Sequence, residues 1–170
     1  MRQKRSADYI IFAFSCLISV SAYAEGGQGM TWSKSSHDSR LGIDQVSCHN
    51  GTPGGCNAYK GDTSCLLSQP ILCINVDNSP RPDYVATGSD FYDGWAGGHI
   101  ATTLPVPGFA LYAPKVGDQY CLDNFGAGWR MAEFHDNRIG GWGFRAYGNV
   151  ENEQHFWVRI NDQPANCWDQ

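Results

Sequence analysis

Charge is scarce in this 170-residue chain: Asp, Glu, Lys and Arg make up 17 % of it and the formal net charge is −5. Beyond Arg2, Lys4 and Arg5 the basic residues are scattered, which excludes the electrostatic footprint of a nucleic-acid or anionic-membrane binder. Long apolar runs are missing too. The longest, from Tyr9 to Val20, falls short of the about 20 residues that a membrane-spanning helix needs. G-x-S-x-G, H-E-x-x-H and any paired-carboxylate signature are absent, so no reaction class is fixed by motif. No two cysteines stand in the close C-x₂₋₄-C spacing of structural zinc. The five histidines are dispersed, and neither Asp90 with Asp93 nor Asp77 with Asp83 follows an EF-hand spacing, so no metal ligand set and no cofactor is read from the sequence.

What is present points to export. Arg2, Lys4 and Arg5 precede the apolar run, and Ala22-Tyr23-Ala24 follows it, the basic, apolar and small-residue order of a signal peptide over residues 1–24. Cys16 leaves with that segment. The remaining six cysteines, Cys48, Cys56, Cys65, Cys73, Cys121 and Cys167, are an even set in an exported chain and read as a disulfide framework in a secreted or periplasmic protein. The remaining length suits one domain with a core of its own. Aromatic content of 13 %, 20 glycines and little charge point to loop-rich β structure.

Along the chain, residues 25–46 are polar and small without sustained periodicity, which predicts a flexible entry segment ahead of a globular domain over 47–170. Between Cys48 and Cys73 four cysteines are interleaved with turn signals, Asn50-Gly51, Pro53-Gly54-Gly55 and Gly61-Asp62, so these four are expected to pair among themselves. Asn50-Gly51-Thr52 is also a glycosylation triplet, though Asn-Gly is a hairpin turn in its own right. Ile71 to Val76 reads as a buried strand ended by Pro80 and Pro82, and His99 to Val106 as another. Val116, Tyr120, Cys121 and Phe125 recur at near-helical spacing and Gly126 follows, which predicts one principal helix. Strands are expected at Trp129–Phe134, Phe144–Tyr147 and Phe156–Asn161, the last alternating Phe156, Val158 and Ile160 against Trp157, Arg159 and Asn161. The fold class is therefore α+β, a small twisted antiparallel sheet with one main helix, loop-rich and disulfide-stapled. Gly-Trp occurs at Gly94, Gly128 and Gly141 with unequal spacing, so it is no repeat period; indoles filling a core beside permissive glycines account for it.

The C-terminal part, about 115–170, resembles the C-type-lectin-like superfold. A helix carrying Cys121 leads into Gly126-Ala127-Gly128-Trp129-Arg130-Met131-Ala132-Glu133-Phe134, then Trp157-Val158-Arg159-Ile160-Asn161-Asp162, with Cys167 close behind. Met131 to Phe134 stand where that superfold has "G-G-x-L-A-x-I", and Trp157 to Asp162 where it has "W-I-G-L-N-D". Trp129-Arg130-Met131 is similar to the "G-W-R-L-P" of its bacterial relatives. The resemblance implies a binding module, and a Cys121–Cys167 bond worth roughly 3–4 kcal/mol in the chain-entropy model. Calcium-dependent sugar binding is not carried over, because Gln163-Pro164-Ala165 lacks the acidic third residue of the calcium loop and follows the strand at once.

Two sets of side chains offer chemistry. Glu133, His135 and Asp136 fall together at a strand end, with Glu133 and His135 on one face; as an enzyme site they would make a small hydrolase with His135 as general base. Polar strand ends also serve as turn formers. For binding, Trp142, Tyr147, Trp157, Asn161 and Asp162 supply aromatic and polar groups of the kind that stack on sugar rings or anchor protein interfaces. The expected function is an exported, non-enzymatic binding module for a glycan or a protein surface, the hydrolase being the alternative. A third reading, an inhibitor-like protein, would present the Cys48–Cys73 region to a partner.

Overall fold

The computed structural model describes residues 26–48, 55–85, 91–137, 141–152 and 154–169. The expected signal peptide with Cys16, the Asn50 triplet and Asp90 lie outside them. In chain order the elements are β1 (Gln28–Gly29), β2 (Thr31–Asp38), β3 (Ile43–Ser47), β4 (Thr63–Ser64), β5 (Ser68–Gln69), β6 (Leu72–Asn75), β7 (Gly94–Thr102), β8 (Val106–Pro107), α1 (Pro114–Phe125), β9 (Arg130–Met131), β10 (Gly143–Tyr147) and β11 (His155–Trp157). The fold is α+β, sheet-rich and loop-rich, with one α-helix among the described residues. That helix is too short and too polar to cross a membrane.

Seven strands form the main sheet in the order β11-β2-β3-β10-β7-β6-β9. The neighbours are antiparallel except β10 and β7, which run parallel, a departure from the all-antiparallel expectation. The two edges then meet. Ile71 bridges Trp157, Glu133 bridges Arg159, and backbone bonds run from Arg159 N to the Ala132 carbonyl at 3.0 Å and from Phe134 N to the Arg159 carbonyl at 2.9 Å. The sheet thus closes on itself and satisfies edge groups that would otherwise be left open. Inside lies the larger core, where Trp32, Val46, Phe144, Ile74 and Phe156 meet. A second cluster, including Ile71, Cys73, Leu111, Met131 and Trp157, packs beneath α1.

The segment 25–46 is not a loose entry. Its residues form β2 and β3, central in the sheet, with Met30, Trp32, Ile43 and Val46 each no more than 1 % exposed. Thr31 to Asp38 holds only one large apolar residue, Trp32, so no alternation announces the strand. Asp44, fully buried, makes an inward polar position tolerable because its carboxylate accepts from His37 Nδ1 at 2.6 Å and Val150 N at 2.6 Å, with Lys34 Nζ 3.6 Å away. The hairpin turns at Gly42, whose positive φ of 63° suits glycine.

The expected helix is present two residues longer at its start, opened by Pro114 at a position where a missing N–H costs nothing, and it ends at Gly126 with φ 95°. Gly117 lets it approach β9: a Cβ there would lie 2.4 Å from the Met131 sulfur. The final expected strand shortens to β11, but its alternation holds. Phe156, Val158 and Ile160 enter the larger core while Trp157 enters the second cluster, so this segment separates the two.

All six described cysteines are bonded, and two of the pairings correct the sequence expectation. Cys48 pairs with Cys56, but Cys121 bonds Cys73 across 5.6 Å between α-carbons, and Cys167 bonds Cys65 across 5.7 Å. Crowding in sequence is a poor guide because β6 lies against β9 and α1, which puts Cys73 under the helix. Cys65 meets the returning C-terminus instead: a Cβ on Gly108 would lie 2.8 Å from the Cys65 α-carbon and 2.6 Å from the Cys167 sulfur.

Candidate functional site

At one end of the closed sheet, four segments gather around a cavity of about 190 Å³ lined by Ala58, Tyr59, Phe134, His135, Trp142, Ile160, Asp162 and Gln163. Each is positioned by local structure. The Cys48–Cys56 bond closes the first segment, and Cys48 N donates to the Trp142 carbonyl at 2.9 Å, tying it to the start of β10. Asn57 Oδ1 then accepts from Tyr59 N and Lys60 N, an Asx turn that lifts Tyr59 onto the rim. Trp142 follows Gly141, where a Cβ would strike the Phe91 carbonyl oxygen at 1.8 Å, so only glycine lets the two backbones pass. Asn166, nearly buried, holds the last segment: its amide donates to the Ile160 carbonyl at 2.8 Å and accepts from Ile160 N at 2.9 Å, closing the loop that carries Asp162 and Gln163.

The Trp142 ring links Tyr59 to the core, its centre 6.3 Å from the exposed Tyr59 ring and 5.3 Å from the buried Phe134 ring. Beside them stand the polar groups, the His135 ring 5.1 Å from that of Phe134, and these groups divide into two kinds. Glu133 and Asp136 are spent. Glu133, 8 % exposed, accepts from His135 N at 2.7 Å, His135 Nδ1 at 3.0 Å and Asn161 N at 3.2 Å. Asp136 takes a bidentate grip from Arg130 and a bond from Glu133 N at 2.7 Å. Burial works against the Arg130 cation, but its bonds to Asp136 and the nearby negative charge of Asp136, Asp118 and Glu133 outweigh that and raise its pKa above the ordinary arginine value. This ion pair is a brace. Asp162, in contrast, is 60 % exposed, and its carboxylate lies 3.8 Å from His135 Nε2. Because an ionised carboxylate only accepts, the Glu133 contact places a proton on His135 Nδ1, and the other ring nitrogen, Nε2, faces Asp162.

The sequence candidates therefore separate. His135, Trp142 and Asp162 come together in the cavity wall, and Glu133 and Asp136 stand behind it. Asn161 borders the site through its backbone. Tyr147 does not belong to it: its ring sits between Trp95 and His99 at 5.1 and 5.3 Å and its hydroxyl donates to the Pro80 carbonyl, which pins the loop after β6 to the sheet. Trp157 is 1 % exposed and donates from Nε1 to the Val106 carbonyl, so it is a core residue. Tyr59, Gln163 and the positioning Asn166 were not foreseen. Tyr59 had a signal, the Asn two positions before it; the other two had none.

A larger cavity of about 320 Å³ lies between Thr103–Pro107 and α1, lined also by Tyr120 and Asn124. Its polar side chains are mostly engaged at home, Thr103 with Leu104 and Ile71, and Asn124 with the Tyr120 carbonyl. Among the described residues no group of three His, Cys, Asp or Glu is arranged to hold a metal. Asp77 instead binds Ser79 and His99, and Asp93 binds Arg145. No protein-family model, curated protein or solved structure matches this chain.

Proposed function

We propose that this protein is an exported binding module, of the lectin-like kind its C-terminal part resembles, and that the cavity at the Tyr59–Trp142 wall takes one sugar residue of a glycan. The observation that carries the reading is the juxtaposition of the Tyr59 and Trp142 rings with His135, Asp162 and Gln163 around a cavity of about 190 Å³. A pyranose has an apolar C–H face and a rim of hydroxyls, and such a site answers both, stacking on the one and hydrogen-bonding the other. The hydrolase reading is weaker on the same geometry, because Glu133 and Asp136 are saturated by bonds within the protein and Glu133 serves to aim His135. Three disulfides fit work in an oxidising compartment outside the cytoplasm.

A glycan array probed with the folded protein tests this. Binding to a defined set of glycans is expected, and Tyr59→Ala, at a 57 % exposed position, should abolish it while leaving thermal unfolding unchanged. A blank array with intact protein would overturn the sugar reading in favour of a protein partner.

A further inference from the structure

The reading of this cavity as a sugar site can be carried one step further, to the kind of sugar. We propose that the sugar it takes is an amino sugar with a free, protonated amine; this rests on the glycan reading above.

The argument is an inventory of what the site leaves unsatisfied. Among the described side chains lining the cavity none is a lysine or arginine, and Arg130 behind it is committed to Asp136. A sugar bearing carboxylate, sulfate or phosphate would meet the negative charge of the Asp162 carboxylate there. The two groups that face each other across the polar side are Asp162 Oδ2 and His135 Nε2, and in the neutral imidazole whose proton sits on Nδ1 toward Glu133 both are acceptors. They stand 3.8 Å apart, too far to bond each other well and close enough for one nitrogen to lie at ordinary hydrogen-bond distance from both. A hydroxyl has one proton and can satisfy only one of them. An acetamide likewise has one N–H, carries no charge and is bulkier. An ammonium has three donors, its charge is complementary to Asp162, and Tyr59 and Trp142, aromatic rings of the kind that favour a cation, line the same cavity. The charge of Asp162, its spacing from His135 Nε2 and the aromatic residues of the lining thus select the same group.

Calorimetric titration of the folded protein with three β-1,4-linked trisaccharides, of glucosamine, of N-acetylglucosamine and of glucose, tests the inference near neutral pH in about 0.15 M salt, where non-specific charge attraction is screened. The glucosamine trimer is expected to bind at least about tenfold more tightly than the other two. Asp162→Asn, at an exposed position, should bring the three affinities within about threefold of one another without altering the melting curve. Equal binding of all three trimers by the native protein, or a preference that survives Asp162→Asn, would overturn the inference. If the glucose or N-acetylglucosamine trimer binds and Tyr59→Ala removes that binding, the amine is wrong and the sugar site stands. If none of the three binds and the glycan array is also blank, both fall.

Discussion

His37 with Asp44 and His135 with Glu133 are the same chemical pair, an imidazole Nδ1 on a carboxylate oxygen at 2.6 and 3.0 Å, placed in two regions of one closed sheet. In the β2–β3 hairpin the carboxylate is fully buried and gathers His37, Lys34 and the backbone of Val150, so it ties a loop to the sheet. At the rim the carboxylate is nearly as buried, but the imidazole it holds lines a cavity with Asp162 beyond it. A histidine beside a buried carboxylate is therefore no sign of function by itself. What the second ring nitrogen faces decides it.

The comparison can be broken by substitution. Asp44→Ala should have the largest effect, because it strands the Lys34 ammonium, whose side chain is 4 % exposed, without a counter-charge: a loss of about 3–5 kcal/mol in denaturant unfolding, where a loss under about 1 kcal/mol would mean that the network is not structural. Glu133→Gln removes a charge at a rim already braced by Arg130 and Asp136, and should cost about 1–2 kcal/mol. Its sharper consequence is for binding, since the His135 tautomer is no longer fixed and sugar affinity should fall about tenfold; unchanged affinity would break the distinction drawn between the two pairs.

A third pair, His99 with Asp77 at 3.0 Å, sharpens the gradient because both groups are exposed. The Ser79 hydroxyl, then the Ser79 backbone N–H, hold the Asp77 pKa below the ordinary aspartate value, with His99 adding to it. A carboxylate with a depressed folded pKa contributes stability above its unfolded pKa and loses it as pH falls through the folded one. The difference in melting temperature between the native protein and Asp77→Asn should thus be small at neutral pH and fade below about pH 4. A difference that grows on acidification would contradict this.

Much of the sheet and the helix could be read from period and punctuation. Gly126 marks the helix end, and Phe156, Val158 and Ile160 mark the inward face of the last segment. What escaped was set by partners distant in sequence. β2 and β3 look like polar linker because they carry an inward polar group, Asp44, whose carboxylate is satisfied by the backbone of Val150, 106 residues away, as well as by nearby His37 and Lys34. The Cys73–Cys121 and Cys65–Cys167 bonds follow strand order, which spacing does not encode. Of the site, Glu133, His135, Trp142 and Asp162 were legible as polar and aromatic groups near strand ends. Tyr59 comes from the opposite half of the chain, and only the closure of the sheet brings it to Trp142.

Nuclear magnetic resonance titration of the protein with the glucosamine trisaccharide tests the central claim most directly, read at the indole N–H groups and the histidine rings. Shifts concentrated at Trp142 and His135, with Trp95, His99 and Trp157 unmoved, are the expected result. Saturable shifts centred on Trp95 and His99, with Trp142 and His135 silent, would contradict it.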